Sequence, residues 1–136
     1  GSAKDPINHL GFIAENRLSG LSPSISPQEL AGLIETADSA SDTEAPMIID
    51  VRDESEVEQH GTIPTATVIP LNSLRDRLGE LAGRDVIALC AVGQRGHIAT
   101  RLLRENGISA RNLDGGFTTW KTMNLQTTQQ KELANV

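Results

Sequence analysis

The chain has 136 residues, 38% of them hydrophobic, a formal net charge of −6 and one cysteine, which fits a single domain with a buried core and leaves no room for a second of similar size. A pI near 5.0 argues against a nucleic-acid partner, and no apolar stretch approaches the ~20 residues of a membrane span. A lone cysteine excludes an internal disulfide and cysteine-built zinc sites, and no secretory leader pattern is present, so a cytoplasmic, metal-free protein is expected.

Gly1-Ser2 reads as a cloning remnant. Residues 5–18 place Ile7, Leu10, Ile13, Ala14 and Leu18 at helical spacing, with Asp5 as N-cap and Pro6 at the first helical position. The polar stretch 19–24 reads as a linker. Ser26, Pro27 and Glu29 form a capping box ahead of a helix whose apolar stripe is Leu30, Leu33, Ile34 and Ala37. The run "MIIDV" at 47–51 predicts a short strand buried on both faces. A short acidic helix ending at Gly61 follows, then a second strand over 66–70. Leu74, Leu78 and Leu81 mark a helix that closes at Gly83. "DVIAL" at 85–89 is a third buried strand. A loop over 90–96 leads to an amphipathic helix of Ile98, Ala99, Leu102 and Leu103 that ends at Gly107. "ARNL" predicts a strand, "DGG" a turn and "FTTWKTM" a last helix, before a polar tail over 125–136 that is expected to fray.

Strands that alternate with helices imply right-handed crossovers and a parallel sheet covered on both faces, whose ligands bind at the carboxyl ends of the strands. Cys90 stands at such an end. Charge is unevenly spread: residues 28–58 are crowded with acids, whereas Arg84, Arg95, Arg101, Arg104 and Arg111 dominate the half that contains Cys90.

Two readings of Cys90 compete. It is either a buried apolar residue closing a strand or a nucleophile. Three features of "CAVGQRG" favour a thiolate, a persulfide or an oxyanion there. A helix N-terminus follows the loop, Gly93 and Gly96 let successive N–H groups curl inward as a nest, and Arg95 adds a permanent cation. His9, His60 and His97 show no metal-ligand spacing, and no nucleotide-binding glycine loop exists. Asp50 and Arg52, at a strand end, are either a structural ion pair that buttresses the loop or substrate-facing groups. Trp120 is expected in the core.

Taken together, "IIDVRDESEVEQHGTIPTATVIPL", "VIALCAVGQRGHIATRLLRENG" and "NLDGGFTTW" resemble a rhodanese domain in order and spacing. The resemblance implies an α/β fold with a central parallel sheet of about five short strands over residues 21–124. It also implies that Cys90 accepts sulfane sulfur as a persulfide and passes it to a thiol. The N–H groups of Ala91, Val92, Gly93, Gln94, Arg95 and Gly96 would hold the terminal sulfur. Thr62 and Thr65 stand where the family often has His and Gly, and Ala91 where some members carry Arg, which touches the use of anionic thiosulfate. Phosphatases that share the fold use a loop one residue longer; the span from Cys90 to Arg95 suits a single sulfur.

Residues 3–20 resemble the tail of FAD-dependent coenzyme A-disulfide reductases of the pyridine-nucleotide disulfide oxidoreductase family, some of which carry a C-terminal rhodanese domain. On that likeness, residues 1–20 are the end of a preceding reductase domain or linker. The fragment itself would hold no cofactor, while its parent would use FAD, NAD(P)H and coenzyme A. The expected partners are a small donor (persulfide, polysulfide or thiosulfate) and the parent's reductase domain. The alternatives are a module that docks a partner and merely presents a thiol, and a small phosphatase or arsenate reductase.

Overall fold

A computed structural model describes residues 22–37, 45–123 and 125–129. The helix predicted over 5–18 and the expected reductase tail lie outside these residues. β1 (Ser24–Ile25), β2 (Met47–Asp50), β3 (Thr67–Val68), β4 (Asp85–Leu89) and β5 (Ser109–Leu113) form one sheet in the order β1-β5-β4-β2-β3. Every pairing is parallel, as right-handed α/β crossovers require.

The helices are α1 (Pro27–Ala37), α2 (Glu54–His60), α3 (Leu71–Leu74), α4 (Gln94–Glu105) and α5 (Gly116–Thr122). α1 starts as its sequence predicts: the Glu29 N–H donates to Ser26 Oγ (3.1 Å), and the Ser26 N–H donates to Glu29 Oε1 (3.3 Å).

The helices depart from the sequence expectations at two places. The helix predicted after Pro70 is α for only one turn, then continues as a 3-10 helix over Arg75–Glu80, where Arg77 leaves helical geometry (φ −117°, ψ 16°). Second, α4 begins at Gln94 rather than after 96, so Gln94, Arg95 and Gly96 are its first turn. The stretch read as a linker and cap also contains β1, held by pairing Ser24 with Asn112 and Ile25 with Leu113.

The strand alternation divides the core in two. Ile49, Val86, Ala88 and Ala110 face α4, with Ala99 and Leu103 of that helix packed onto them. Ile48, Ile87, Leu89 and Leu113 face the other way, onto Leu30, Phe117 and Trp120. Trp120 is core, and its indole N–H donates to the Gln126 carbonyl (2.8 Å). Residues 125–129 are not frayed: the Thr128 N–H donates to the Thr62 carbonyl (2.8 Å), and the Thr62 N–H donates back to Thr128 Oγ1 (3.0 Å). No helix among the described residues is long and apolar enough to cross a membrane.

The chain leaves β2 toward β3 on one side and leaves β4 toward β5 on the other. The crevice where such sheets bind ligands therefore opens between the carboxyl ends of β2 and β4. Asp50, Val51 and Arg52 stand at one of those ends and Cys90 at the other.

Leu103 is wholly buried, whereas Ile98 on the same helix is 56% exposed. Leu103→Ala is expected to lower unfolding free energy by about 2–5 kcal/mol through the cavity it leaves. Ile98→Ala should stay within about 0.5 kcal/mol of the parent, with both read from urea midpoints.

Candidate functional site

Cys90 directly follows β4 and is 1% exposed, packed in the same apolar cluster as Val86 and Ala88. It is also the focus of the loop. The N–H groups of Gly93 and Gly96 both donate to Cys90 Sγ, at 3.1 and 3.2 Å. The buried-residue reading and the nest reading are thus both true of one side chain. Gly93 is the N-cap of α4, and the Gly96 N–H is one of the orphan donors that every helix start exposes.

Neighbouring groups fix the direction of three loop carbonyls, those of Cys90, Ala91 and Gly93. The Phe117 N–H donates to the Cys90 carbonyl (2.8 Å), and the Thr118 N–H donates to the Ala91 carbonyl (3.0 Å). In a trans peptide the N–H points opposite to its C=O, so the amides of Ala91 and Val92 turn away from α5. On the third side the Asn112 Nδ2 donates to the Gly93 carbonyl (3.3 Å), which turns the Gln94 amide away from Asn112. Two glycines permit this packing. A Cβ on Gly116 would lie 2.5 Å from the Cys90 carbonyl oxygen, and a Cβ on Gly96 would overlap Asn112 Oδ1.

Asp50 and Arg52 form a buried ion pair, with side chains 0% and 2% exposed. Asp50 Oδ2 accepts from Arg52 Nη2 (2.6 Å) and from the Thr62 hydroxyl (2.6 Å), while its Oδ1 accepts from Arg52 Nε (3.0 Å) and the Arg52 N–H (3.1 Å). Arg52 Nη2 also donates to the Gly61 carbonyl (2.7 Å), and the guanidinium lies 4.6 Å from the Phe117 ring centroid. The pair braces α5, which in turn holds the loop.

Arg95 reaches across to α2. Its Nη1 and Nη2 donate to Glu56 Oε1 (2.7 Å) and Oε2 (3.0 Å) on α2. That bidentate bond holds the Glu56 carboxyl below its ordinary 4.5, at about 2, and raises Arg95. His97 is exposed, and its Nδ1 lies 2.6 Å from Ser22 Oγ. Val92 stands out from the loop at 63% exposure.

The structure therefore gathers Cys90 with Gly93 and Gly96, sets Ala91 and Val92 around them, and puts Asp50 and Arg52 behind α5. Sequence reasoning missed Asn112, Glu56 and the N-terminus of α5. Only the glycine pair at 115–116 hinted at a close backbone approach.

The sequence model of the family described as "Rhodanese-like domain" matches residues 26–123. The chain belongs to this family. The rhodanese-like domain superposes on the reduced CoADR-RHD of Bacillus anthracis with a TM-score of 0.69 and 36% identity, covering 88% of this chain and 20% of that one. It also superposes on a rhodanese-like domain protein from Staphylococcus aureus with a TM-score of 0.62 and 31% identity, covering 71% and 89% of the two chains. It is 40% identical over 81 residues to the HTH-type transcriptional regulator Rv0324 of Mycobacterium tuberculosis, which is 57% of this chain and 35% of that protein. The chain thus spans only a minor part of CoADR-RHD and of the regulator. Its family places it among domains of sulfurtransferase type.

Two outcomes test this geometry. Gly96→Ala is expected to cost about 2 kcal/mol or more by overpacking. Adding Asn112→Ala should give a double variant more stable than the sum of the two single losses, because the clashing group is gone. The second concerns pH. A carboxyl whose folded pKa lies below its unfolded value stabilises the fold above the unfolded value and loses that contribution as pH falls. The Glu56 contribution should therefore be full near neutrality and fade between 4.5 and about 2. Comparing urea midpoints of the parent and Glu56→Gln at neutral and acid pH should show a gap that closes in acid.

Proposed function

We propose that the domain is a sulfur carrier in which Cys90 takes sulfane sulfur from a small donor and passes it to a thiol acceptor. The observation that carries this is the convergence of the Gly93 and Gly96 N–H groups on Cys90 Sγ. These donors suit a sulfur anion, and the α4 N-terminus adds its partial positive charge to them.

In the loading step the Cys90 thiolate attacks the outer sulfur of the donor. An Sγ–S bond forms, the donor S–S bond breaks, and the donor leaves as a thiolate, or as sulfite when the donor is thiosulfate. In the second step an acceptor thiolate attacks the outer sulfur and Cys90 leaves as the thiolate. No net redox change occurs across the cycle, and the protein supplies amides that hold the charge on the transferred atom in both steps.

The donor class we assign is a persulfide or polysulfide, with coenzyme A persulfide as the form suited to a reductase parent. The acceptor we assign is a cysteine of a flavin reductase fused to this domain. Supporting that assignment are the likeness to CoADR-RHD, of which this chain corresponds to a fifth, and the reductase-like residues 3–20.

Intact-mass spectrometry after incubation with thiosulfate or polysulfide tests the carrier role. The expected result is a gain of about 32 Da per chain, reversed by cyanide or thiol and absent in Cys90→Ser. Failure to gain sulfur from any sulfane donor would overturn it in favour of a thiol-presenting docking module. Turnover of a phosphoester would favour phosphatase chemistry instead.

A further inference from the structure

The most informative contact outside the nest is the one between Arg95 and Glu56, which joins α4 to α2 across 39 residues of sequence. Arg95 is the second residue of α4 and precedes Gly96, whose amide holds Sγ. Its guanidinium is close enough to feel a negative charge on Cys90 and on Asp53. Left alone, it would be a cation beside the loop mouth.

It is not left alone. Both of its terminal nitrogens are engaged by one carboxylate, in the fork-to-fork geometry that gives the strongest and best-ordered ion pairs. Glu56 is itself anchored: its Oε1 also accepts the Asp53 N–H (3.3 Å) at the start of α2. Arg52 is likewise neutralised, by Asp50. Among the described residues near the loop, Lys121 stands 5.7 Å from the Phe117 centroid with no carboxylate partner shown. The groups that touch Cys90 Sγ are backbone N–H donors, those of Gly93 and Gly96.

We infer, building on the carrier role of Cys90, that Glu56 determines donor specificity: by pairing with Arg95 it removes the free cation from the mouth and turns the site from inorganic dianions toward organic persulfides. Thiosulfate carries its charge on the group next to the transferred sulfur and needs a cation there. An alkyl persulfide carries its organic part away from that sulfur and is held by the loop amides alone. The pair is one-third exposed, so its contribution to stability is small and its effect falls on the local potential. The low pKa of Glu56 keeps the carboxylate charged throughout the working pH range.

Glu56→Gln isolates this effect. Gln still completes a capping box at the start of α2 and still accepts one hydrogen bond from Arg95, so the charge and one of the two hydrogen bonds are lost. Cys90 of the full chain, its Glu56→Gln variant and Glu56→Asp is alkylated with iodoacetate, a monoanion, and with neutral iodoacetamide. Both reagents attack the same thiolate, so the ratio of the two rates reads the mouth potential free of the thiolate fraction. Sulfur loading from thiosulfate and from 2-hydroxyethyl persulfide is then compared in the same three proteins.

Uncovering one cation should raise the iodoacetate-to-iodoacetamide ratio and the thiosulfate-to-persulfide loading ratio each about threefold, since the two reagents of each pair differ by one unit of charge. Glu56→Asp should stay near the parent in both. Loading of all three proteins with unchanged ratios overturns the role of Glu56 and leaves the carrier role standing. Loading of none from either donor sinks the carrier role, and the specificity claim with it, whatever the alkylation ratio.

Discussion

A guanidinium with almost no exposed surface must have every strong donor satisfied, and this demand at Arg52 organises the site. Asp50, the Gly61 carbonyl and the Phe117 ring all close around it, and the Thr62 hydroxyl donates to Asp50. They come from the end of β2, the end of α2 and the first turn of α5. One buried cation therefore fixes three otherwise separate segments relative to the sheet. α5, so fixed, presents two N–H groups to the Cys90 and Ala91 carbonyls and so sets the course of the loop's first two peptides. The chemistry at Cys90 is downstream of an ion pair that does not touch it.

The thiol itself resolves an opposition that looks sharper in the sequence than in the fold. Burial and reactivity are commonly set against each other for cysteine. Here the β4 alternation puts Cys90 on the α4 face with Val86 and Ala88, and the same placement brings its sulfur under the start of that helix. The apolar floor excludes water while the amides above supply polarity. Asn112 sits at the polar end of the same face, after Ala110, where it supports the loop from below. Its Oδ1 is buried with no hydrogen-bond partner among the described residues, and the space it needs is the space a side chain at position 96 would take.

Much of this was legible in the sequence, and the failures share a cause. β2 and β4 showed as continuous apolar runs because both faces of a central parallel strand are covered. Cys90, Gly93, Arg95 and Gly96 stood out because they are local to one loop. β1 did not: it is two residues between prolines, and only its pairing with β5 makes it a strand. The direction of Arg95 was equally hidden, since proximity in sequence suggested the nest and the actual partner lies on another helix. Asn112 contacts a carbonyl 19 residues back, and no pattern in "ARNL" marks one polar residue as structural. Local chemistry was readable; long-range partners were not.

The sheet order has a further consequence. Its two edge strands, β1 and β3, are two residues long, so the flanks of the sheet offer few unpaired N–H and C=O groups to another strand. The apolar central strand, β4, is paired on both sides. Such a domain can be held at high local concentration beside another folded body, or beside copies of itself, without its sheet becoming a template for misassembly.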